Sequence, residues 1–525
     1  MVANPFIERR RYLAVKALRS MLARLTTEHS GRGVKAPQLC FERWLARWAL
    51  RAGAAALKSP IIPADGRLDE KLIKDLERTV TSRDVARTIA VALCAAGAAA
   101  AAKLSSPPPT VQSARAELPM ALLRVVEATK RAMASADDAE PALFVALAKA
   151  CGDLSSAARR GATAAAAAAA TSGGGSASSP SSAVHLKRGR REGFVDVVLG
   201  ATKPYLVISE EHLAKLQKLY AVSSRERGGE GAALPTNEVG VEAADAEGAA
   251  LRASLFACLM RYETLRGAGY QCAVPGPAFD AVVPHLGRVV EMFASPLNAH
   301  GPRFCSAFGP IESVFGSLGS FFDFDPECGT FEANPPFVPE VMDAMVERIA
   351  TLLRDASRGP LSFLVVVPSW GAGVRTLLLL KGEMCTPWRR ALLEIPAAEH
   401  VFCDGAQHTK GASLREQYRP SSWDTTVVLL QNDAGAERWP ATTALLTSTF
   451  GRAMRNAGVD AVADDVGSAR GRKRARRGRG RGGRRGRGGR GRGANRTRGR
   501  SGQRGGRETL AEWEHRGVPR GGRQL

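Results

Sequence analysis

From Leu286 to Phe450 short apolar runs alternate with helical stretches, and this alternation constrains the fold more than any other feature of the chain. The strand candidates are Val289–Ala294, Thr330–Ala333, Leu361–Val367, His400–Phe402 and Thr425–Leu430. Between the second and third, Val341, Met345, Ile349, Leu352 and Leu353 recur at helical spacing. Strands that alternate with helices predict an α/β fold, a sheet covered on both faces. Such sheets take ligands at the carboxyl ends of their strands.

The rest of the chain divides around that block. Leu68, Leu72, Ile73, Leu76, Val80, Val85, Ile89 and Leu93 mark helices in an N-terminal helical region, 1–155. Trp44 and Trp48 lie four apart, on one helix face, and read as a core stripe. A low-complexity linker follows over 156–192, polyalanine and then Gly/Ser/Pro. It ends in Lys187, Arg188, Arg190 and Arg191, which read either as a nuclear-import signal or as a solvated linker end. Residues 193–285 predict a helical domain with a small hairpin. Its strands are Phe194–Leu199 and Tyr205–Ile208. Helices follow from Ser209, with Leu213, Leu216 and Tyr220 in its stripe, and over Ala249–Leu265, with a charged, Gly-rich loop between. His212 reads as packing or surface. The α/β domain spans 286–455, and 456–525 form an Arg/Gly-rich tail.

Charge is concentrated in that tail. The chain carries +23, of which residues 470–525 hold +18. The tail is too Gly-rich and too charged to fold alone, so disorder is expected there. It reads as a sequence-blind RNA tether, acting through phosphate attraction and Arg–base stacking. Arg472-Lys473-Arg474 and Arg476-Arg477 also suit a nuclear-import signal. An apolar fraction of 45% allows a real core. The longest apolar run, Ile89–Ala102, falls short of the roughly 20 residues that span a bilayer, so no membrane segment is expected. The opening MVANPFIERRRYLAVKAL shows no signal-peptide pattern. Nine scattered Cys without a CxxC pair argue against a disulfide framework or a zinc site. They point to a reducing compartment, cytosol or nucleus.

The sharpest motif is Asn334-Pro335-Pro336-Phe337, directly after the strand GTFEA and before a helix. Two prolines stiffen the backbone. The Asn334 carboxamide oxygen and the Pro335 carbonyl are two acceptors that suit the two N–H bonds of an exocyclic amine. Phe337 offers a flat face to a base. The arrangement fits an adenine N6 amine aimed at an electrophile, as in amino-methyltransferases that use S-adenosylmethionine. A strand-terminating turn with a buried Phe is the bland alternative, and the strand–motif–helix context argues against it.

Several stretches around the motif extend the match. MFASPLN (292–298), FCSAFG (304–309), FGSLGSFFDFDP (315–326), GTFEANPPF (329–337), VMDAMVERI (341–349), GPLSFLVVVPSW (359–370) and VVLLQNDAG (427–435) resemble, in order and spacing, the phosphorylated-CTD-interacting factor family. These are cap-specific adenosine N6-methyltransferases of eukaryotic messenger RNA. The resemblance covers roughly residues 190–450. It implies a Rossmann-type methyltransferase domain packed on a helical domain. The substrate it implies is the adenosine next to the 7-methylguanosine cap, usually 2′-O-methylated. Asn334, Pro335, Pro336 and Phe337 match the catalytic motif. Phe293, Ala294, Ser295, Pro296, Leu297 and Asn298 resemble the loop after the first strand, a cofactor wall. Phe315, Gly316 and Ser317 resemble the glycine-bearing turn beside it. Glu332 faces either the cofactor or a core partner.

The chain also departs from the family. Ser369 stands where an acid is expected, and His400 and His408 read as structural or substrate-facing. Trp residues at 44, 48, 370, 388, 423, 439 and 513 include no pair with the wide spacing and trailing proline of a WW module. That absence argues against recruitment by the phosphorylated RNA polymerase II tail. An N6-adenine methyltransferase acting on internal RNA or DNA, or an inactive RNA-binding homologue, are the competing readings.

Overall fold

The computed structural model describes residues 4–30, 38–53, 62–80, 82–105, 184–200, 206–226, 246–265, 272–371, 373–411 and 413–459. The N-terminal region beyond residue 105, most of the linker, Tyr205 and the Arg/Gly tail from residue 460 lie outside them.

Four helices open the chain: α1 (Pro5–Ser30), α2 (Gln38–Ala52), α3 (Glu70–Glu77) and α4 (Arg83–Ser105). Asp69 starts α3 by accepting hydrogen bonds from the backbone N–H groups of Lys71 and Leu72, which satisfies donors that the first turn leaves free. Leu18, Leu22, Phe41, Trp44, Leu72, Leu76, Ile89 and Leu93 meet in one core. Trp44 and Trp48 are both buried, as the stripe predicts. Arg47 is buried between Asp69 and Asp75 at 3.2 and 2.9 Å, tying α2 to α3. One correction concerns α4. Over Arg83–Ala102 it is long and apolar enough to cross a membrane by length and composition, with a mean hydropathy of 1.8. Here 67% of its most apolar stretch is buried inside the protein, where its alanines pack against α1 and α3.

The second part holds a three-stranded antiparallel sheet, β1 (Val184–Arg188), β2 (Phe194–Leu199) and β3 (Leu206–Ser209), in the order β1-β2-β3. The β2–β3 hairpin is as expected. The linker boundary is not: residues 184–188 pair with β2 along their whole length, because Val184 and Leu186 supply an apolar face. Helices α5 (Glu210–Glu226) and α6 (Ala246–Leu265) cover this sheet. The helical regions on either side of the linker share a seam. α1 lies along α6, and Arg261 donates to both carboxylate oxygens of Glu8 at 2.9 and 3.0 Å.

Helix α7 (Gly276–Leu286) leads into the central sheet. Its strands, in chain order with their helices, are β4 (Val289–Ala294), β5 (Phe304–Ser306), β6 (Gly329–Ala333), then α8 (Pro339–Arg354), β7 (Leu361–Pro368), α9 (Arg375–Lys381) and β8 (Arg389–Ile395). Beyond these come β9 (Val401–Cys403), β10 (Tyr418–Pro420) and β11 (Thr425–Gln431). The six-stranded order is β5-β4-β6-β7-β11-β8. β5, β4, β6 and β7 are parallel neighbours, and β11 runs antiparallel to both β7 and β8. One strand is therefore reversed in a mixed sheet. β7 is buried at every position. Phe363, Val365 and Val367 pack toward Met345 and Ile349 of α8, while Leu364 and Val366 pack toward Phe279 and Val282 of α7. This alternation is the period of two expected of a strand covered on both faces.

The structure corrects one strand candidate. The segment at 400–402 does not enter the main sheet. Val401–Cys403 pairs with β10 in a separate two-stranded ribbon. β5, β8 and β10 went unread because β5 and β10 are three residues long and β8 alternates burial at the sheet edge.

Candidate active site

β6 lies between β4 and β7, so its carboxyl end opens at the middle of the parallel part of the sheet. Phe331 and Ala333 face the α8 core. The pleat turns Glu332 and Asn334 to the other side. Asn334 is only 7% exposed. Its Nδ2 donates to the Cys272 carbonyl at 3.0 Å. A carbonyl can only accept, so this bond fixes which way the amide points. Oδ1 is then left buried with no hydrogen-bond partner. A buried orphan acceptor costs about 1–3 kcal/mol, which a donor supplied from outside would offset.

The rest of the motif is held stiffly. Pro335 is buried and Pro336 half-buried. The Pro336 carbonyl accepts from the Val338 N–H at 2.6 Å. Val338 is extended because Pro339 follows it, and Pro339 opens α8. The Phe337 ring stands edge-on to Trp370 and to Phe402, each at 6.3 Å between centroids. Trp370 in turn meets Trp423 at 6.4 Å. Both indole N–H groups are shut off from solvent without a partner. These aromatic residues form one wall beside Asn334, and sequence reading missed all of them but Phe337. The signal in the sequence is the tryptophan of VPSW, Trp370, next to Ser369. Ser369 bonds Thr426 at 2.6 Å and Glu394 at 3.3 Å, so β8 supplies a carboxylate near the position where an acid was expected.

The loop after β4 lies at the same end of the sheet, next to β6. Asn298 Oδ1 accepts from the Ser295 N–H at 2.7 Å and from its hydroxyl at 2.8 Å, which curls Ser295–Asn298 into a turn. Phe293 packs on Phe321 and Phe322, while Ala294, Ser295 and Pro296 are buried. Leu297 is buried in the α5–α6 core, and its carbonyl takes the Lys215 ammonium at 3.4 Å.

Glu332 is 3% exposed and sits in register with Glu291 of β4. Burial, with Glu291 beside it, pushes its carboxyl well above the usual carboxylate range. Its Oε1 has no partner. Glu291 differs, because its Oε2 accepts from the N–H groups of His300 and Gly301. The carboxyl ends of β4 and β6 thus hold two unpartnered buried oxygens, on Glu332 and Asn334.

The third predicted segment divides. Phe315 is fully buried against Tyr220 in the α5–α6 core, so its ring does not line an open wall. This corrects its assignment by position: the turn carries Phe315 inward. Gly316 has φ +101°, and a Cβ there would lie 2.1 Å from the Pro302 carbonyl oxygen. Its glycine serves the turn. Ser317 bonds Ser306 at 2.6 Å, joining the turn to β5. Gly316→Ala is expected to cost at least about 1–3 kcal/mol, the range typical of backbone strain. Gly319 also has positive φ but open space around it, so Gly319→Ala should cost less. Thermal unfolding of the two variants checks the order; equal melting temperatures would refute the account.

His400 and His212 are structural in their contacts, while the buried Nδ1 of His408 has no partner among the described residues. His400 bonds the Pro396 carbonyl and the Thr425 hydroxyl, both at 2.8 Å. His212 is buried and bonds Ser209 at 2.9 Å. Burial and Lys215 bring its pKa down to about 4. Burial and His212 bring His408 down to about 4 as well.

Comparison with known proteins falls on this same region. The family profile described as Phosphorylated CTD interacting factor 1 WW domain matches residues 215–405. An "mRNA (2'-O-methyladenosine-N(6)-)-methyltransferase" of Homo sapiens is 39% identical over 192 residues, 35% of this chain and 27% of that protein. The protein of the same description from Mus musculus is 38% identical over 192 residues, 35% of this chain and 26% of that protein. The chain therefore spans about a quarter of the length of the curated relatives it matches. The match corrects the expectation that the WW region is missing. The region bearing that description runs from α5 to the β9–β10 ribbon and is not an N-terminal tryptophan pair. The argument against polymerase-tail recruitment, which rested on the absence, falls with it. Residues 215–405, with Asn334 and its neighbours among them, are thus similar to the phosphorylated CTD interacting factor 1 family, and the chain is similar over 192 residues to two proteins described as mRNA (2'-O-methyladenosine-N(6)-)-methyltransferases.

Proposed function

We propose that this chain methylates N6 of the adenosine, usually 2′-O-methylated, that adjoins the 7-methylguanosine cap of mRNA. One observation carries the reading: Asn334 Oδ1 is a buried acceptor with no partner, at the carboxyl end of the central parallel strand. The similarity to two such methyltransferases over this segment supports it. In this reading the domain is of Rossmann type, with one reversed strand next to β7.

The chemistry asks little of the protein beyond placement. S-adenosylmethionine would supply an electrophilic methyl group. The residues present fit it: Glu332 offers an unpartnered oxygen near the carboxyl end of β6, beside β4, and Phe293 with its aromatic neighbours offers a flat apolar surface. The turn at Ser295–Asn298 and the Ser317 backbone would form the rest of the wall. Asn334 Oδ1 and the Pro335 carbonyl accept the two amine N–H bonds and stabilise charge growing on nitrogen. Phe337 stacks on the base and fixes the attack direction. The nitrogen sheds one proton to water once the new C–N bond has formed, so the amine lone pair attacks without a general base. The Arg/Gly tail would hold RNA nearby, and its basic clusters suit a nuclear protein.

The test is methyl transfer from labelled S-adenosylmethionine to capped RNA beginning with 2′-O-methyladenosine, to the same RNA uncapped, and to single-stranded DNA. Label on the capped RNA alone is expected. Equal label on all three would replace the cap-specific reading with a general adenine N6-methyltransferase. No label, with no cofactor binding, would replace it with an inactive RNA-binding protein.

A further inference from the structure

A cleft of about 660 Å³ opens between the hairpin sheet and the β9–β10 ribbon. Arg191, from the β1–β2 turn, lines one side, and Lys410, Tyr418 and Arg419 line the other. Two acids also border it, and both are engaged. The Asp404 carboxylate accepts from the Ala406 N–H at 2.8 Å. Glu416 takes Arg191 at 3.2 Å and the Gly411 N–H at 2.8 Å. Among the described residues, no carboxylate reaches ion-pair distance of Lys410 or Arg419. Arg191 is also set in place by the Phe194 ring, 4.2 Å beneath its guanidinium.

The cleft adjoins the motif by two routes. Arg419 stands opposite Phe402 in the ribbon, and Phe402 touches Phe337. The Arg419 charge also lies near the Cys272 thiol and works against the burial that raises its pKa, and the Cys272 carbonyl holds Asn334. A base held between Asn334 and Phe337 by its amine carries its sugar and phosphates on the opposite edge. Those phosphates must leave the pocket through a neighbouring opening. An opening with a guanidinium and an ammonium that no carboxylate neutralises among the described residues, and a phenol, matches them, since guanidinium binds phosphate oxygens in pairs and ammonium as a point charge.

We propose that this cleft is a phosphate subsite, in which Lys410 and Arg419 bind phosphate oxygens of the nucleic-acid chain attached to the target base, with Arg191 and Tyr418 at its mouth. The inference rests on the methyl-transfer reading. It also reassigns part of the basic cluster at 187–191 from a linker end to the wall of a site. The phosphates come either from a 5′ polyphosphate or from phosphodiesters further along the chain.

The experiment compares the full chain with Lys410→Ala/Arg419→Ala in steady-state methyl transfer. Substrates are a capped oligoribonucleotide, the same sequence with a 5′ hydroxyl, and free 2′-O-methyladenosine. The Arg/Gly tail is common to both proteins and cancels from the comparison. For the capped RNA the variant should raise KM about tenfold. Its log–log salt dependence should flatten by about 1.4, the value for two single-strand phosphate contacts. The KM for S-adenosylmethionine and turnover of the free nucleoside should not change. A KM rise confined to the capped RNA assigns the site to the 5′ polyphosphate, and a rise on both RNAs assigns it to phosphodiesters. An unchanged KM and salt slope on both RNAs would overturn the proposal. If the wild type methylates nothing, the methyl-transfer reading fails by itself. Fluorescence anisotropy of labelled oligonucleotides then decides the cleft: a flatter salt slope in the variant keeps it, and an equal slope removes it.

Discussion

Asn334→Ala is expected to lower methyl transfer by about 10²–10³-fold, the usual loss when one preorganised polar contact to developing charge is removed. The side chain makes one hydrogen bond to the protein, from Nδ2 to the Cys272 carbonyl. Losing that bond costs about 1 kcal/mol of stability. Removing the orphaned Oδ1 returns part of it, so the variant should unfold close to the wild type. Cofactor affinity should hold, because the loop after β4 and Glu332 are untouched. Asn334→Asp separates the two jobs of the amide: it keeps an acceptor and loses the donor to Cys272, so it should keep more activity than Asn334→Ala. Retained turnover in Asn334→Ala, with a normal melting curve, would remove this residue from the mechanism.

The largest effect on stability should come from Glu8→Ala, about 3–5 kcal/mol, the cost of leaving a buried charge uncompensated. Glu8 takes both the guanidinium of Arg261 across the seam and that of Arg11 one turn along α1. Burial alone would raise its carboxyl pKa, but the two arginines outweigh it and hold the carboxyl below the usual range. Burial lowers the Arg11 pKa more than Glu8 raises it, and the pair across the seam is the one between Glu8 and Arg261. A carboxylate with a lowered folded-state pKa stabilises the fold above its unfolded pKa, and that contribution disappears as pH falls through the folded value. Wild-type stability should thus fall in acid below the ordinary glutamate range, and Glu8→Ala should flatten that limb. Replacing both Glu8 and Arg261 with Met should recover much of the loss, since a buried pair is costly mainly when broken. Denaturant unfolding across pH measures all three; a loss under 1 kcal/mol in Glu8→Ala would refute the seam.

Much of this was legible in the sequence where one period ran unbroken. β6, β7, β11 and α8 announce themselves because each buries a full face, and β4 because its apolar run is unbroken but for Glu291. The Asn-Pro-Pro-Phe motif was legible because its chemistry is local: two prolines and an amide need no distant residue to be recognised. What was hidden depends on contacts far apart in the chain. Cys272 reaches Asn334 across 62 positions, and Trp423 reaches Trp370 only once β11 has paired with β7. Phe315 was misassigned because the likeness of a loop says where the backbone runs, and the direction of one ring depends on Tyr220 from another element. Val184–Arg188 was hidden because basic residues and low-complexity surroundings outweigh a five-residue strand in composition.

The partners in the α1–α6 seam stand 253 positions apart. At the 5–20 residues per second of synthesis, α1 leaves the ribosome on the order of tens of seconds before Arg261 has been made. Through that interval Glu8 and Arg11 have only each other, and the apolar side of α1 that will meet α6 stays open. The two sides of α1 are therefore settled at different times: the side facing α2–α4 has its core partners once residue 105 is made, whereas the side facing α6 waits for the middle of the chain.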